Sequence, residues 1–163
     1  MDVRLVYGHK RALAISRLAE AWGEPVMARG QAFDFEECEI FVAGDMEGVA
    51  ALSGQAAPVA ELVAINAFTP RRGVGTALLT ACVDHLDLKF HRLRVCTTND
   101  NLDALRFYQR RGFRLSELRV GAVDEARTRK PSIPLTGEYG LPIRDEIDLV
   151  LNLRDERGRF GGA

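Results

Sequence analysis

The sequence has few of the residues that build metal sites and disulfide frameworks. Its 163 residues include three cysteines and three histidines. Cys38, Cys82 and Cys96 are odd in number and match no zinc-ligand spacing. Cys82 falls on the apolar face of a predicted helix and Cys96 in a predicted strand, so we interpret the cysteines as buried free thiols. The histidines are equally scattered along the chain, and we expect no metal site.

An excess of one charge and a long apolar run are also missing. The chain has 22 basic and 23 acidic residues and a formal net charge of -1. This balance gives no reason to expect nucleic acid or a membrane surface as a partner. No stretch approaches the roughly 20 consecutive apolar residues of a transmembrane helix, and residues 1–5 lack the apolar segment of a signal peptide. We therefore expect a cytoplasmic protein.

Apolar residues make up 47% of the sequence, which is enough for a hydrophobic core. Helical periodicity predicts helices over residues 9–22, 73–88, 101–111 and 123–129. Strand patterns cover residues 3–6, 39–43, 48–53, 59–68, 93–97, 113–120 and 146–153. Gly-Asp-Met-Glu over residues 44–47 predicts a hairpin between the second and third of these strands. Residues 25–37 are interpreted as irregular. The order of elements predicts an α+β fold in one domain over residues 1–153, followed by a flexible tail over residues 154–163.

The most informative segment joins a predicted strand to a predicted helix. Its sequence is Pro-Arg-Arg-Gly-Val-Gly-Thr over residues 70–76, and we call it the glycine turn. Gly73 and Gly75 lack a Cβ atom, so a ligand can approach the backbone closely. The first amides of the following helix, together with the helix dipole, form a ready anion site. Arg71 and Arg72 add positive charge, and the segment is typical of a site that binds phosphate groups.

Two other phosphate-binding motifs share features with the glycine turn. The dinucleotide-binding fingerprint needs a third glycine and a later acidic residue, and neither is well placed here. A P-loop needs a lysine followed by Ser or Thr after its second glycine, whereas Gly75 is followed by Thr76 and Ala77. A plain turn between strand and helix stays open for this motif taken alone.

A second motif follows about 25 residues later, on the helix predicted over residues 101–111. Asn101 and Tyr108 are about two helical turns apart, so they face the same side. Gly112 suits a left-handed cap at the end of this helix. Tyr108 lies one turn before that end, where it can hand a proton to a leaving group. Packing in the core is the alternative for Tyr108 and is the interpretation we prefer for Phe107.

In this order, the two motifs resemble those of the GNAT superfamily of N-acetyltransferases. The first family motif is Gln or Arg, two free positions, Gly, one free position, then Gly or Ala, and it falls on residues 70–75. The second is Asn, two free positions, Ala, then Tyr and Gly-Phe. It falls on Asn101, Ala104, Tyr108, Gly112 and Phe113. The resemblance covers about residues 3–153 and is strongest over residues 61–114.

The sequence also departs from the family pattern. Pro70 stands where the family usually has Gln or Arg, so one side-chain contact to the cofactor is missing. The strand predicted over residues 93–97 carries no acidic residue, where some relatives place a general base. Residues 130–146 lie outside the common core and imply no particular substrate.

The resemblance implies a mixed, mostly antiparallel sheet of about six to seven strands flanked by helices. A splayed pair of parallel strands would form the cofactor cleft. The implied cosubstrate is acetyl-CoA, with no metal. Its pantetheine arm would bind the strand over residues 59–68 and its pyrophosphate the glycine turn. The implied cofactor-binding residues are Val63, Ala64, Ile65, Arg71, Arg72, Gly73, Val74, Gly75, Thr76 and Asn101.

The implied reaction is direct attack by a primary amine on the acetyl thioester in a ternary complex. Tyr108, with an ordinary pKa near ~10, is the implied proton donor to the departing thiolate. The amine must be neutral, so a base takes its proton, through water. We select Glu61 as this base, because strand alternation would put it on the same face as Val63 and Ile65. An exposed charge at a strand end is the alternative for Glu61.

Further residues are candidates for secondary contacts. Arg106, Arg110 and Arg111 either meet the 3′-phosphate of the cofactor or form a solvated helix face. The candidates for the acceptor pocket are Trp22, Arg29 and the loop over residues 131–144, with Glu138, Arg144 and Asp145 as polar groups. The acceptor and the acyl chain length stay open, as does a homodimer. The alternative function is a non-catalytic sensor of the GNAT fold that binds acyl-CoA.

Overall fold

The helices and strands follow the predicted order with small shifts at their ends. The structure, a computed structural model, describes residues 1–54, 57–70 and 72–155. The strands are β1 Val3–Leu5, β2 Val26–Ala28, β3 Gln31–Phe33, β4 Glu39–Ala43, β5 Gly48–Ser53, β6 Val59–Ala67, β7 Arg92–Thr98, β8 Arg114–Arg119 and β9 Glu146–Asn152. The helices are α1 Gly8–Trp22, α2 Val74–His85, α3 Leu102–Gln109 and α4 Ala122–Arg129, with short 3-10 turns at Phe35–Glu37 and Glu138–Gly140.

Seven of the strands form one mixed sheet in the order β1-β4-β5-β6-β7-β9-β8. It is mostly antiparallel, with β6 and β7 as the parallel pair, and helices flank it. The predicted fold class is therefore confirmed. The described chain divides into two compact units. The first unit comprises Met1–Val26, Phe33–Leu93 and the chain from Asn152, and the second comprises Met27–Ala32 and Arg94–Leu151. A single domain over residues 1–153 stays a prediction, and residues 156–163 of the predicted tail lie outside the described residues.

In the first unit, β1, β4, β5 and β6 are joined by antiparallel pairings. The predicted hairpin of β4 and β5 is present, with Glu39 opposite Leu52 and Ala43 opposite Gly48. One face of this part of the sheet packs against α1. The core there contains the buried residues Ala14, Ile15, Leu18, Phe35, Val49, Ala51, Val63 and Ala64.

An extra residue in β6 breaks the strand alternation that the sequence suggested. Leu62 pairs with Leu52 and Ala64 pairs with Ala51, so Val63 is a bulge with no partner residue on β5. Residues on the two sides of a bulge no longer follow one alternation. The bulge therefore decides which residues of β6 face α1.

We predicted that residues 25–37 are irregular. This prediction is wrong, because they contain β2, β3 and a 3-10 turn. The two-residue turn between β2 and β3 is formed by Arg29, with φ +53°, and Gly30, with φ +71°. Tight hairpins require positive φ at both central positions, which favours Asn or Gly at the first. Because arginine is unusual at that position, the sequence does not indicate a turn there. The three-residue strands β2 and β3 are also too short to show alternation.

In the second unit, β9 pairs antiparallel with β8, and Arg114 lies opposite Val150. The helix α3 follows β7, and α4 follows β8. The register between β8 and β9 shifts at Ser116, which leaves a bulge in β8. Residues 130–145 form an ordered loop with a bridge between Thr136 and Pro142.

Gly48 allows β5 to approach α2 closely, and this gives a test of the packing. A Cβ atom at Gly48 would collide with Val74 Cγ1 and lie 2.9 Å from both the Asn66 carbonyl oxygen and Leu78 Cδ1. Overpacking of this kind costs about 1–3 kcal/mol. We expect Gly48→Ala to lower the free energy of unfolding by that amount in urea denaturation. Gly54→Ala is the matched control at the other end of β5, since its nearest contact would be the Phe90 ring edge at 3.2 Å. Equal losses in the two variants would contradict this account.

Candidate functional site

The strand β6 leads into the glycine turn through a fixed corner. The amides of Phe68 and Thr69 both donate to the carbonyl oxygen of Glu47, at 2.8 and 3.3 Å. Glu47 lies in the β4–β5 hairpin, so the hairpin holds the end of β6 in place. The turn then passes residue 71, which lies outside the described residues, so nothing here tests Arg71 as a cofactor-binding residue.

Gly73 begins α2 in the left-handed conformation, with φ +72° and ψ +11°. Its carbonyl oxygen accepts the first helical bond, from the Ala77 amide at 2.9 Å. No side chain caps this helix end among the residues that the structure describes. A Cβ atom built at Gly73 would meet no atom of the described residues within 4 Å, so these residues leave the space beside the turn open. The first amides of α2, at Val74, Gly75 and Thr76, follow this open corner.

The charges at the glycine turn are partly compensated. The side chain of Arg72 is 68% exposed and forms an ion pair with Glu47, with Nη1 and Oε1 3.5 Å apart. Val74 turns its side chain into the core and is buried. Among its described residues, the turn therefore exposes the guanidinium of Arg72 beside the backbone at the start of α2.

Glu61 is buried, with 7% of its surface exposed, so an exposed strand-end charge is ruled out. It pairs with Ser53, on the face of β5 that also carries Ala51. Our expectation that Glu61 shares a face with Ile65 is wrong, because the bulge at Val63 intervenes and Ile65 pairs with Ala50 on the opposite face. Val63 and Ala64 are buried in the core beside α1.

In the second unit, Asn101 is the N-cap of α3. Its Oδ1 atom accepts a hydrogen bond from the Ala104 amide at 3.1 Å, which explains the Asn-x-x-Ala spacing in local terms. Tyr108 is buried at the end of this helix. Its ring lies edge to face against Phe107, with centroids 5.2 Å apart, and tilted against Phe113 at 5.1 Å. Gly112 has φ +91°, the left-handed cap that the sequence predicted.

The three arginines near α3 differ in their surroundings. Arg111 stacks on the Phe107 ring, with its guanidinium carbon 3.8 Å from the centroid, and donates to the Phe107 carbonyl oxygen at 2.9 Å. Burial and the charge of Arg110 lower the pKa of Arg111. Arg106 and Arg110 are exposed. Nothing in these contacts tests the predicted interaction with the 3′-phosphate.

Sequence reasoning missed Asn99 and Asp100, which fasten the loop over residues 130–145. Asn99 Oδ1 accepts from the amides of Arg144 and Asp145, at 2.9 and 3.0 Å. Asp100 is buried and accepts from Thr98 Oγ1 at 2.5 Å and from the Glu138 amide at 3.0 Å. Asn99, Asp100 and Asn101 are adjacent in the sequence and resemble ordinary turn and cap residues. This local pattern does not indicate that two of them bind a distant loop.

Several carboxylates lie around the same loop. Burial raises the pKa of Glu138, and the nearby charges of Asp100 and Asp103 raise it further. Tyr139, which has φ +57°, donates from its hydroxyl to Asp103 Oδ1 at 2.6 Å. Among the other predicted acceptor groups, the Asp145 carboxylate accepts from the Gly121 amide at 2.8 Å. Glu138 and Arg144 are exposed.

A second feature that sequence reasoning missed is a set of charged residues that we call the ion cluster: Arg29, Arg119, Glu146 and Asp148. Arg119 donates to both carboxylates, with a shortest distance of 2.8 Å to Asp148 and 3.1 Å to Glu146. Arg29 Nη1 lies 3.0 Å from Asp148 Oδ1, and the Arg29 amide donates to Glu146 Oε1 at 3.0 Å. The exposed fraction is 2% for Asp148 and 3% for Glu146. The side chain of Arg29 is therefore engaged inside the protein.

The three cysteines are free thiols. Burial raises the pKa of Cys38 to about 12, with the charges of Asp34 and Glu37 adding to the effect. Burial likewise raises the pKa of Cys82 and Cys96 far above the ordinary range. The thiols are protonated at neutral pH, so none is a nucleophile in this state. The described residues include no cluster of three potential metal-binding side chains, and none of the described helices has the length and apolarity to cross a membrane.

These features fit what comparison with known proteins finds. The sequence model of the acetyltransferase (GNAT) family matches residues 14–113, from α1 to the residue before β8. The chain belongs to the GNAT family. This match includes both the glycine turn and the motif of α3, so the resemblance stated from the motifs is confirmed.

Two relatives of this GNAT chain are uncharacterized proteins of Bacillus subtilis (strain 168). YxbD is 42% identical over 95 residues, which cover 58% of this chain and 60% of that protein. The chain thus spans less than two thirds of YxbD. YdhI is 33% identical over 142 residues, which cover 79% of this chain and 84% of that protein. A GNAT family acetyltransferase from Elizabethkingia anophelis, solved with acetyl-CoA bound, has a TM-score of 0.68 and 18% identity, covering 93% of this chain and 97% of that one.

The ion cluster gives a prediction for the pH dependence of stability. Burial alone would raise the pKa of Asp148, but its hydrogen bond to Arg119 and the charges of Arg29 and Arg119 lower it below its ordinary value. A lowered pKa in the folded state stabilises the fold above the unfolded pKa of about 3.9, and this stabilisation is lost as the pH falls through the folded pKa. We expect Asp148→Asn to lower the free energy of unfolding by about 3–5 kcal/mol near neutral pH. This difference from wild type should shrink below about pH 4.

Urea denaturation at several pH values measures this difference. Asp124→Asn is the control, because it removes an exposed ion pair of 2.8 Å with Arg127 and should change stability by less than about 1 kcal/mol. A loss for Asp148→Asn that is small at neutral pH, or that does not fall in acid, would contradict the role assigned to the ion cluster.

Proposed function

We propose that this GNAT protein is an N-acetyltransferase that transfers the acetyl group of acetyl-CoA to a primary amine by direct attack in a ternary complex. The observation that carries the proposal is the open, left-handed corner at Gly73, which begins α2 without a side-chain cap. The relative from Elizabethkingia anophelis, with acetyl-CoA bound, supports the choice of cosubstrate. Acetyl-CoA supplies the acetyl group as an activated thioester.

The glycine turn suits a pyrophosphate in both shape and charge. The amides of Val74, Gly75 and Thr76 belong to the first turn of α2, where backbone N–H groups have no helical acceptor. The dipole of α2 favours negative charge at this end. Arg72 is exposed and adds a guanidinium, which exchanges its Glu47 partner for a phosphate oxygen. The absence of a side chain at Gly73 leaves the space that the phosphates need.

The bulge in β6 suits the pantetheine arm and the thioester. A bulged residue drops out of the ladder, so in this proposal Val63 offers the cosubstrate backbone groups that a regular strand would pair with β5. The side chains of Val63 and Ala64 are buried in the core, so these residues meet the cosubstrate through backbone atoms. An amide aimed at the thioester carbonyl oxygen stabilises the tetrahedral oxyanion, an effect worth about 2.7–4 kcal/mol per donor.

Tyr108 is the proton donor to the thiolate of CoA in this proposal. Its ring is fixed by Phe107 and Phe113, so its hydroxyl group has a defined position at the end of α3. Asn101 caps the same helix with Oδ1 and retains its Nδ2 hydrogens for a carbonyl oxygen of the pantetheine arm. One short helix therefore places both groups, which is the reason for their fixed spacing in the sequence.

Glu61 is the proposed base that takes a proton from the amine through water. Its position suits this role, because Glu61 is buried on β6, the strand to which we assign the cosubstrate, two residues before the bulge at Val63. Arg29 does not contact the acceptor in this proposal, since its guanidinium is engaged with Asp148. It acts instead by fixing the turn between β2 and β3. Glu138 and Arg144 remain the exposed polar candidates for the acceptor side.

Calorimetric titration with acetyl-CoA tests the glycine turn directly. We expect the wild-type protein to bind and Gly73→Glu to weaken binding by more than about 100-fold, because a carboxylate would stand where the phosphates bind. Gly121→Glu is a matched control, since Gly121 begins α4 with φ +76° and ψ +2° and is also open on its Cβ side. Both variants carry the same backbone strain, so only the position differs. No binding to folded wild-type protein, or equal loss in both variants, would refute the assignment.

Tyr108→Phe separates a transferase from a sensor that only binds acyl-CoA. A panel of primary amines is first screened with wild-type protein for release of the CoA thiol. With an amine that reacts, we expect Tyr108→Phe to lower kcat by about 100-fold or more and to leave the affinity for acetyl-CoA unchanged, because phenylalanine keeps both ring contacts. Tyr139→Phe, which removes an exposed hydroxyl from Asp103, is the control and should retain wild-type kcat. Unchanged turnover in Tyr108→Phe would exclude its role as the proton donor.

A further inference from the structure

The strand β8 ends the seven-stranded sheet and has β9 as its neighbour. Its residues Arg114 to Leu118 are exposed. An edge strand presents a row of backbone N–H and C=O groups that can pair with another chain. The side chains on β8 are unusual for such an edge, because Leu115 is 57% exposed and Leu118 is 60% exposed. Val120, directly after the strand, is 81% exposed.

The bulge at Ser116 puts the two leucines on one face. Leu115 pairs with Leu149 and Leu118 pairs with Ile147, and these partners are two residues apart on β9. Residues two apart in a strand point to the same side. Leu115 and Leu118 are three apart and would face opposite sides in a regular strand. The bulge therefore places both leucines in one apolar stripe along the exposed edge, whereas a regular strand would place them on opposite faces.

The order of residues along β8 is self-complementary. From residue 114 to residue 119 the sequence is Arg-Leu-Ser-Glu-Leu-Arg, which in both directions has arginine at the ends, leucine next to each end and two hydrophilic residues in the centre. A two-fold axis requires each patch to match itself. With the axis between Ser116 and Glu117 and the strands antiparallel, Leu115 faces Leu118 of a second copy, and the reverse pair is formed as well.

The charges of β8 also fit this arrangement. Arg114 lies diagonally across from Glu117 of the second copy, a distance that long side chains span in an antiparallel pair. Arg114 lies directly opposite Arg119 of the second copy. The repulsion between these two arginines is offset, since Arg119 is already paired with Glu117, Glu146 and Asp148 in its own chain. Each Glu117 is therefore shared between Arg119 of its own chain and Arg114 of the second copy. Two Arg–Glu pairs and two leucine pairs therefore form around one axis.

We propose that β8 is a dimerisation edge, where two copies of this chain join antiparallel through Leu115, Leu118 and the Arg114–Glu117 pairs. Two strands of six residues bury less than the about 1,200–2,000 Å² of a standard stable interface. The dimer is therefore reversible and its population rises with protein concentration. This inference does not depend on the proposed acetyl transfer.

Sedimentation equilibrium over a wide range of protein concentration tests the proposal. We expect a monomer–dimer equilibrium for wild-type protein and a dissociation constant raised at least tenfold in Leu118→Lys, the fold-change of about 1.4 kcal/mol. Leu88→Lys is the matched control, because Leu88 is 78% exposed and lies outside β8; it should dimerise like wild type. A wild-type monomer at every concentration, or equal effects of both lysines, would overturn the proposal.

A charge exchange tests the pairing itself. Arg114→Glu places two carboxylates together across the axis and should weaken the dimer. The double variant Arg114→Glu with Glu117→Arg restores opposite charges in both pairs and should regain most of the affinity. Circular dichroism confirms that each variant is folded. Failure of the double variant to recover, in folded protein, would overturn the antiparallel arrangement about this axis.

Discussion

The arrangement of the first unit depends on one extra residue in β6. A shift of one residue along a strand moves every following side chain to the other face. Because Val63 has no partner on β5, Glu61, Val63 and Ala64 share the face toward α1, and the alternation resumes out of phase beyond them. Without the bulge, Ala64 would turn away from the core that contains Ile15 and Leu18. The same residue also interrupts the ladder at the strand to which we assign the thioester, so packing and chemistry have one origin.

The parts of the structure that could be predicted are those with local causes. The spacing of apolar residues predicted the helices, Gly112 predicted a left-handed cap, and Gly44 to Glu47 predicted the hairpin. The bulge in β6 could not be predicted, because Val63 and Ala64 are both small and apolar and either register satisfies the pattern. The turn at Arg29 was missed since its positive φ is imposed by distant partners, Glu146 and Asp148. In the candidate site, motif positions were predictable, whereas the burial of Glu61 and the ties of Asn99 and Asp100 depend on contacts far along the chain.

The ion cluster of the second unit is also formed by residues that lie far apart in the sequence. Two carboxylates and two guanidiniums leave no net charge in the buried cluster, and each carboxylate receives donors from both arginines. Buried pairs of this kind contribute little net stability compared with apolar packing, but removal of one member leaves an unpaired charge. The cluster therefore fixes geometry more than it adds stability. It joins β8 and β9 to the turn between β2 and β3, and this turn is contributed by a part of the sequence more than 80 residues earlier.

In the proposed site, charged side chains and backbone amides of the glycine turn contribute differently to phosphate binding. Pro70 stands where the motif resemblance implies Gln or Arg, and Arg72 is shared with Glu47. The chain as a whole has a formal net charge of -1, so no general positive field attracts an anion. What remains is the start of α2, where backbone amides, the helix dipole and the open space at Gly73 coincide. We therefore expect affinity for phosphate groups to depend mainly on backbone geometry, and a side chain at Gly73 to weaken binding more than the loss of one positive charge.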